Sequence, residues 1–264
     1  MSNQNTPKEV KDQQSENSQL SLLARNSKLL TAAVVVAVVA VAIFAFNYFY
    51  LQPKEEKAQT NLTLGLSYIE EAAMLSEQSV RILATPDSLL TDSIKAQGEG
   101  FKKQADEKYN QALNGDGKFP GFLKLAGESM TDAANIATAN AGLCYYHLGN
   151  IKEAIKYLDQ FSAKGDKSLS PQYIAALANC YASDNQIDKA ISTFQNAAKE
   201  ADNAVLSPQY LLEAGLLLES QNKNDEALKV YETIKSKYPD SRVASAIAMG
   251  NVAEIDKYIE RVSK

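Results

Sequence analysis

The sequence predicts an all-α chain: a solenoid of about three to four stacked helical hairpins, closed by a C-terminal capping helix and preceded by one transmembrane helix. Three observations predict it. The tetrapeptide Ser-Pro-Gln-Tyr occurs at Ser170–Tyr173 and again at Ser207–Tyr210, and self-similarity at a fixed spacing is the mark of a repeat array. Small residues recur at Gly142, Ala178 and Gly215, where two helices of a hairpin would cross. From Leu29 to Leu51 no residue is charged.

The uncharged stretch comes first in the chain. A helix over 29–51 reaches about 34 Å, enough to cross a hydrocarbon core of about 30 Å. Tyr48, Phe49 and Tyr50 stand at its far end, where amphipathic rings favour the headgroup zone. Arg25 and Lys28 flank the near end, while Lys54–Lys57 is balanced in charge, so the positive-inside bias puts the amino terminus in the cytoplasm. The stretch is too long, and its polar lead too extended, for a cleaved signal peptide. An uncleaved anchor is expected. Residues 1–28 are rich in Ser, Asn, Gln and Lys with no apolar periodicity, and read as a disordered cytoplasmic tail.

The repeats fill the rest. Each Ser-Pro-Gln-Tyr reads as a helix start, with Ser capping the free amides and Pro at the first helical position. An apolar helix with small residues follows, then a polar turn, then an amphipathic helix. The later copies give Ala178, Tyr181, Ala190, Phe194 and Gly215, Leu218, Ala227, Tyr231, and an upstream copy gives Gly142, Tyr145, Ala154, Leu158. This pattern resembles the tetratricopeptide repeat, whose unit is about 34 residues. It departs at the usual Trp position, filled by Thr138, Ile174 and Leu211, and only the last copy keeps its Pro, Pro239. The extra residues per unit fall around 164–168 and 202–206. The expected repeats cover 59–113, 131–166, 170–203 and 207–240, with the capping helix at 243–262, all within an extracytoplasmic domain over 54–264. Thr85–Gly100, with Pro86, Gly98 and Gly100, reads as a loop or a broken helix, and Asn114–Gly121 as a structured turn.

The residues that could carry chemistry are few. His147 is the one histidine, so no multi-histidine metal centre can form, and the reading contains no catalytic residue, cofactor or metal. Gly115-Asp-Gly117 follows no strand and lacks dinucleotide-loop spacing. Cys144 and Cys180 hold equivalent positions in neighbouring repeats, about one helix-packing distance apart, and are expected as free packed thiols. The net charge is −5, and no basic patch offers phosphate binding. Protein partners and a bilayer remain, nucleic acid does not.

In such arrays the first helix of each hairpin lines a groove. That places Ile136, Leu143, Tyr146, His147, Gln172, Asn179, Gln209, Leu212, Leu216 and Glu219 as the candidate partner-binding residues. Only Asn179 fits the set with which some tetratricopeptide proteins clamp a carboxylate tail, so the groove suits a peptide or helix held by side-chain burial. The order of short tail, single anchor and repeat domain, together with Ala112–Phe122 and Ala141–Gly149, resembles the YfgM-type ancillary subunits of the bacterial Sec translocon, in the form found in Bacteroidota. The resemblance implies a non-enzymatic scaffold in the inner membrane with its C-terminal domain in the periplasm. Its implied partners are translocon subunits, a membrane-anchored chaperone or prolyl isomerase, and secretory clients. A general scaffold for cell-wall or outer-membrane assembly is the alternative.

Overall fold

The computed structural model describes residues 31–86, 88–128, 131–163, 165–245 and 253–264. The expected disordered tail lies outside them. The described residues contain helices and turns and no strand. They divide into two units, residues 1–56 and 57–264.

The first unit is described from Thr31, the start of helix α1 (Thr31–Leu83). From Thr31 to Tyr50 every residue except Ala45 is exposed, and the helix is long and apolar enough to cross a membrane. At Asn47–Leu51 it widens into a π turn, in which the Gln52 N–H donates to the Asn47 carbonyl. The wide turn lies just ahead of Pro53, which has no N–H to give and whose ring would crowd the carbonyl of Phe49 in a regular helix.

In the second unit, residues 57–83 of α1 run antiparallel to α2 (Asp92–Asn114). Ser79 Oγ donates to the Gly98 carbonyl at 2.8 Å, and Lys108 pairs with Glu71 at 2.6 Å. The break expected over 85–100 is shorter than the glycines suggested. Thr91 caps α2 by accepting the Ile94 N–H, so Gly98 and Gly100 lie inside the helix. Gly98 is there for closeness: a Cβ on it would stand 2.8 Å from Leu83.

The turn after α2 is a dock. Asp116 accepts the N–H groups of Lys118 and Phe119, each at 3.0 Å, and the Tyr68 hydroxyl from α1. Gly115 and Gly121 take φ near +90°, where side chains are strained. The closed loop drives Phe119, and with it Phe122 at the start of the short helix α3 (Phe122–Ala126), against Gly65, where a Cβ would come within 2.5 Å of the Phe119 ring. Both rings are fully buried.

Three hairpins of one design follow: α4 (Asp132–His147) with α5 (Ile151–Leu158), α6 (Ser170–Ser183) with α7 (Ile187–Ala201), and α8 (Ser207–Ser220) with α9 (Asn224–Lys237). The small residue in each first helix admits a large one from the second. A Cβ on Gly142 would stand 2.6 Å from Leu158, and one on Gly215 2.2 Å from Tyr231. Ala178 and Phe194 share one core. Each first helix also ends alike. Gly149, Asn185 and Asn222 have positive φ, and the next N–H, of Asn150, Gln186 or Lys223, donates back to Tyr145, Tyr181 or Leu218, a Schellman closure.

The helix starts depart from expectation. Ser170 and Ser207 do not cap their own helices. Each is buried and donates its hydroxyl back to the preceding segment, to Ala163 O and Ala198 O at 2.7 Å, stitching one hairpin to the next. Capping passes to the inserted loops, where Asp166 accepts from Ser168, Leu169 and Ser170 and Asn203 from Val205 and Leu206.

The last hairpin is covered by α10 (Glu254–Val262). Val243 and Ala244 lie in a turn rather than in the helix expected from 243. Ile255 and Val262 are buried in the core of the third hairpin, and Lys235 pairs with Asp256 at 2.7 Å.

Two substitutions test this packing. Gly215→Ala gains helix propensity of about 1 kcal/mol but forces a methyl onto the Tyr231 ring, a cost of about 1–3 kcal/mol. Ser207→Ala leaves the Ala198 carbonyl with the Asp202 N–H alone and the Asn203 N–H without its acceptor, costing about 1–3 kcal/mol. Both are expected to lower the urea midpoint of the chain followed by circular dichroism. A raised midpoint for Gly215→Ala would mean that the ring can give way.

Candidate functional site

The first helices α4, α6 and α8 carry the ten groove residues, and the structure sorts them by environment. Ile136, Leu143, Tyr146, Leu212 and Leu216 are half-buried. The first three pack on the core between the first two hairpins, and Leu212 on that of the third. Gln172, Asn179 and Gln209 are exposed. Gln172 donates to the Ser168 carbonyl at 2.9 Å. These three, with the exposed Glu213 one turn after Gln209, give α6 and α8 a polar outer face.

Glu219 is placed differently from the other nine. Arg261 of α10 grips both its carboxylate oxygens, with Nε at 2.8 Å from Oε1, and the Tyr231 hydroxyl donates to it at 3.0 Å. The guanidinium, helped by that hydroxyl, holds the Glu219 pKa below the usual carboxylate value. Its side chain is only 15% exposed. Glu219 therefore serves the joint between α8 and α10 rather than an open groove.

His147 ends α4 and is exposed, but one face of its ring is covered. It stacks flat on Tyr109 of α2, with centroids 4.5 Å apart and 3° between planes, and meets Tyr146 edge-on at 5.4 Å. Lost hydration on the covered face lowers the His147 pKa below 6.5. Tyr109 beneath it is buried, and its hydroxyl is the buried side-chain polar atom without a hydrogen-bond partner among the described residues. Burial raises its pKa.

Cys144 and Cys180 are free and fully buried. Burial pushes both thiols up to about 12, so neither is a thiolate nucleophile near neutrality. No group of three or more His, Cys, Asp or Glu that could hold a metal ion is found among the described residues.

Two cavities open where the inserted loops meet the first helices. One, of about 300 Å³, is walled by Ile136, Phe161, Ala163 and Leu169, with Asp132 and Asp166 on its lining. Asn135 fixes one wall by pairing with both the N–H and the carbonyl of Ser162, at 2.9 and 2.8 Å. The other, of about 540 Å³, lies between the two loops and is lined by Lys167, Gln172, Asn203, Val205 and Leu206 among others. Ile136 and Gln172 are thus the groove residues that reach cavities. Phe161, Leu169 and Val205 were missed as cavity-lining residues from sequence, although Val205 lies in, and Leu169 directly after, the residues beyond the usual repeat length, which was a signal.

The tetratricopeptide repeat family matches this chain at residues 140–164 and 209–241. These segments cover α5 with the end of α4, and the third hairpin. Between them α6 and α7 repeat the same small crossing residue and the same Schellman closure. The two matched segments are tetratricopeptide repeats, and such repeats support a protein-interaction scaffold. No curated protein matches the chain.

Because His147 is the single histidine, its titration can be read without assignment. The imidazole resonance is expected to titrate below 6.5, and Tyr109→Ala to move it back up. A pKa depressed by folding also means that the unfolded chain binds more protons in that window. Stability from this group is therefore full above about pH 6.5 and falls as pH drops below it. Unchanged titration in Tyr109→Ala would remove the stack as the cause.

Proposed function

We propose that the chain is a non-enzymatic adaptor anchored in the bacterial inner membrane by α1, with its amino terminus in the cytoplasm and its repeats in the periplasm. There it works beside the Sec translocon with a membrane-anchored chaperone or prolyl isomerase, and receives secretory proteins as they emerge. The observation that carries the scaffold reading is the repeat array itself, whose α6 and α8 present Gln172, Asn179 and Gln209 to solvent. The apolar, wholly exposed start of α1 supports the anchor. Arg25 and Lys28 on the near flank support the orientation.

The physics of the role is local concentration. An anchor confines the repeat face to a thin layer at the membrane, which raises its effective concentration beside partners held in the same layer, without any new contact. Weak, sequence-tolerant contacts then suffice, as clients of varied sequence require. The translocon as the neighbour rests on the resemblance of the Ala112–Phe122 loop and the chain architecture to YfgM-type subunits.

Photocrosslinking in intact cells tests the proposal. A photoreactive residue at Asn179 or Gln209 is expected to capture channel subunits, periplasmic chaperones and nascent secretory chains. Capture of cell-wall or outer-membrane assembly enzymes without channel subunits would replace it by the general envelope scaffold.

A further inference from the structure

We infer that the edge of residues 57–264 bearing the inserted loops rests on the bilayer surface, with Leu169 and Val205 dipping into its headgroup layer. The inference extends the anchored reading above and depends on it.

Outside α1, the large apolar side chains exposed among the described residues are Leu89, Leu169 and Val205. Leu169 and Val205 sit in equivalent loops, immediately ahead of α6 and α8, and are 39% and 69% exposed. Hairpins of one design put the starts of their first helices on one edge, so both side chains project from the edge on which α4 also begins. Leu89 lies in the loop between α1 and α2, at the opposite edge.

The chain enters the repeat unit at the same edge. The end of α4 meets Tyr109 of α2, beside the Lys108–Glu71 pair to α1, whereas Gly65, nearer the start of α1, meets Phe122 of α3, the short helix that leads into α4. Lys57 therefore lies level with the start of α4. It follows Leu51, the last residue of the uncharged stretch, by six residues. That length spans about 9 Å as helix and about 20 Å fully extended. Along the chain the edge with Leu169 and Val205 is the nearer to the anchor, and the length of residues 57–83, about 40 Å as helix, separates it from the edge with Leu89.

The charges beside the two side chains suit the contact. Asp166 accepts three backbone N–H groups. Asp202 is paired with Lys167 at 3.2 Å and Lys237 at 3.7 Å. Asp166 stays ionised, but with Lys167, Asp202 and Lys237 beside it the two loops balance in charge, so Leu169 and Val205 gain by burying apolar area at the interface without a basic patch.

The full chain, reconstituted in vesicles of phosphatidylethanolamine and phosphatidylglycerol, gives the test. Leu169→Cys, Val205→Cys and Leu89→Cys are each labelled with an environment-sensitive fluorophore; the native thiols are buried and stay unlabelled. The three sites are exposed, so the labelled chains keep the fold, as their circular dichroism checks. Expected are several-fold higher emission at 169 and 205 than at 89, and quenching of the first two alone by nitroxide lipids. Equal, water-like emission at all three sites overturns the inference, as does equal quenching at all three. So does a rise at 205 that needs added protein extract, which would make the occupant a protein. Alkaline carbonate separates the two readings. Release of the unlabelled chain from the vesicles defeats the anchor, while retention with water-like probes defeats this contact alone.

Discussion

The tight crossings in residues 57–264 obey one constraint: where two segments meet, one carries a glycine, or alanine at Ala178, so that the other can bury a large side chain. Gly65 receives Phe119 and Phe122, Gly98 receives Leu83, Gly142 receives Leu158 and Gly215 receives Tyr231. The gain is apolar area removed from water at close-packed density, and the cost is the conformational freedom of a helical glycine. The constraint makes the array additive. Each hairpin buries its face on its neighbours rather than around a common centre, and the ends must be closed separately. The Phe119–Phe122 dock closes one end and α10 the other.

The repeat skeleton was legible because this constraint leaves a mark in composition. Gly142, Ala178 and Gly215 recur at a fixed spacing, and so do Ala154, Ala190 and Ala227 of the second helices. What was not legible depends on partners distant in sequence. Ser170 and Ser207 look like caps on local grounds, and only folding reveals that their hydroxyls reach the preceding segment while Asp166 and Asn203 take over the amides. Gly98 and Gly100 look like breakers, because propensity penalises glycine and closeness to Leu83 is invisible in one dimension. Asn185 and Asn222, with positive φ, share the place of Gly149, a substitution that local hydrogen bonding by Asn permits.

The candidate site divides the same way. Positions on the first helices follow from the repeat register, so the exposed Gln172, Asn179 and Gln209 could be named from sequence. Glu219 could not be assigned to its joint, since Arg261 lies 42 residues on. Nor could the stack under His147, which uses a tyrosine from outside its own hairpin. The cavity walls Phe161 and Leu169 flank the inserted residues 164–168, and insertions are where a repeat family leaves room for individual function.

Tying the anchor-bearing helix to the array is the step on which the functional reading turns, and Gly65 is its narrowest point. Native-state hydrogen exchange on Gly65→Leu measures it directly. Leucine raises helix propensity at that position, so any loss there is steric. The account predicts lost protection over 57–83 and the Asn114–Gly121 loop, with protection of α6 to α9 retained. Unchanged protection in 57–83, or an even loss across all the hairpins, would contradict it.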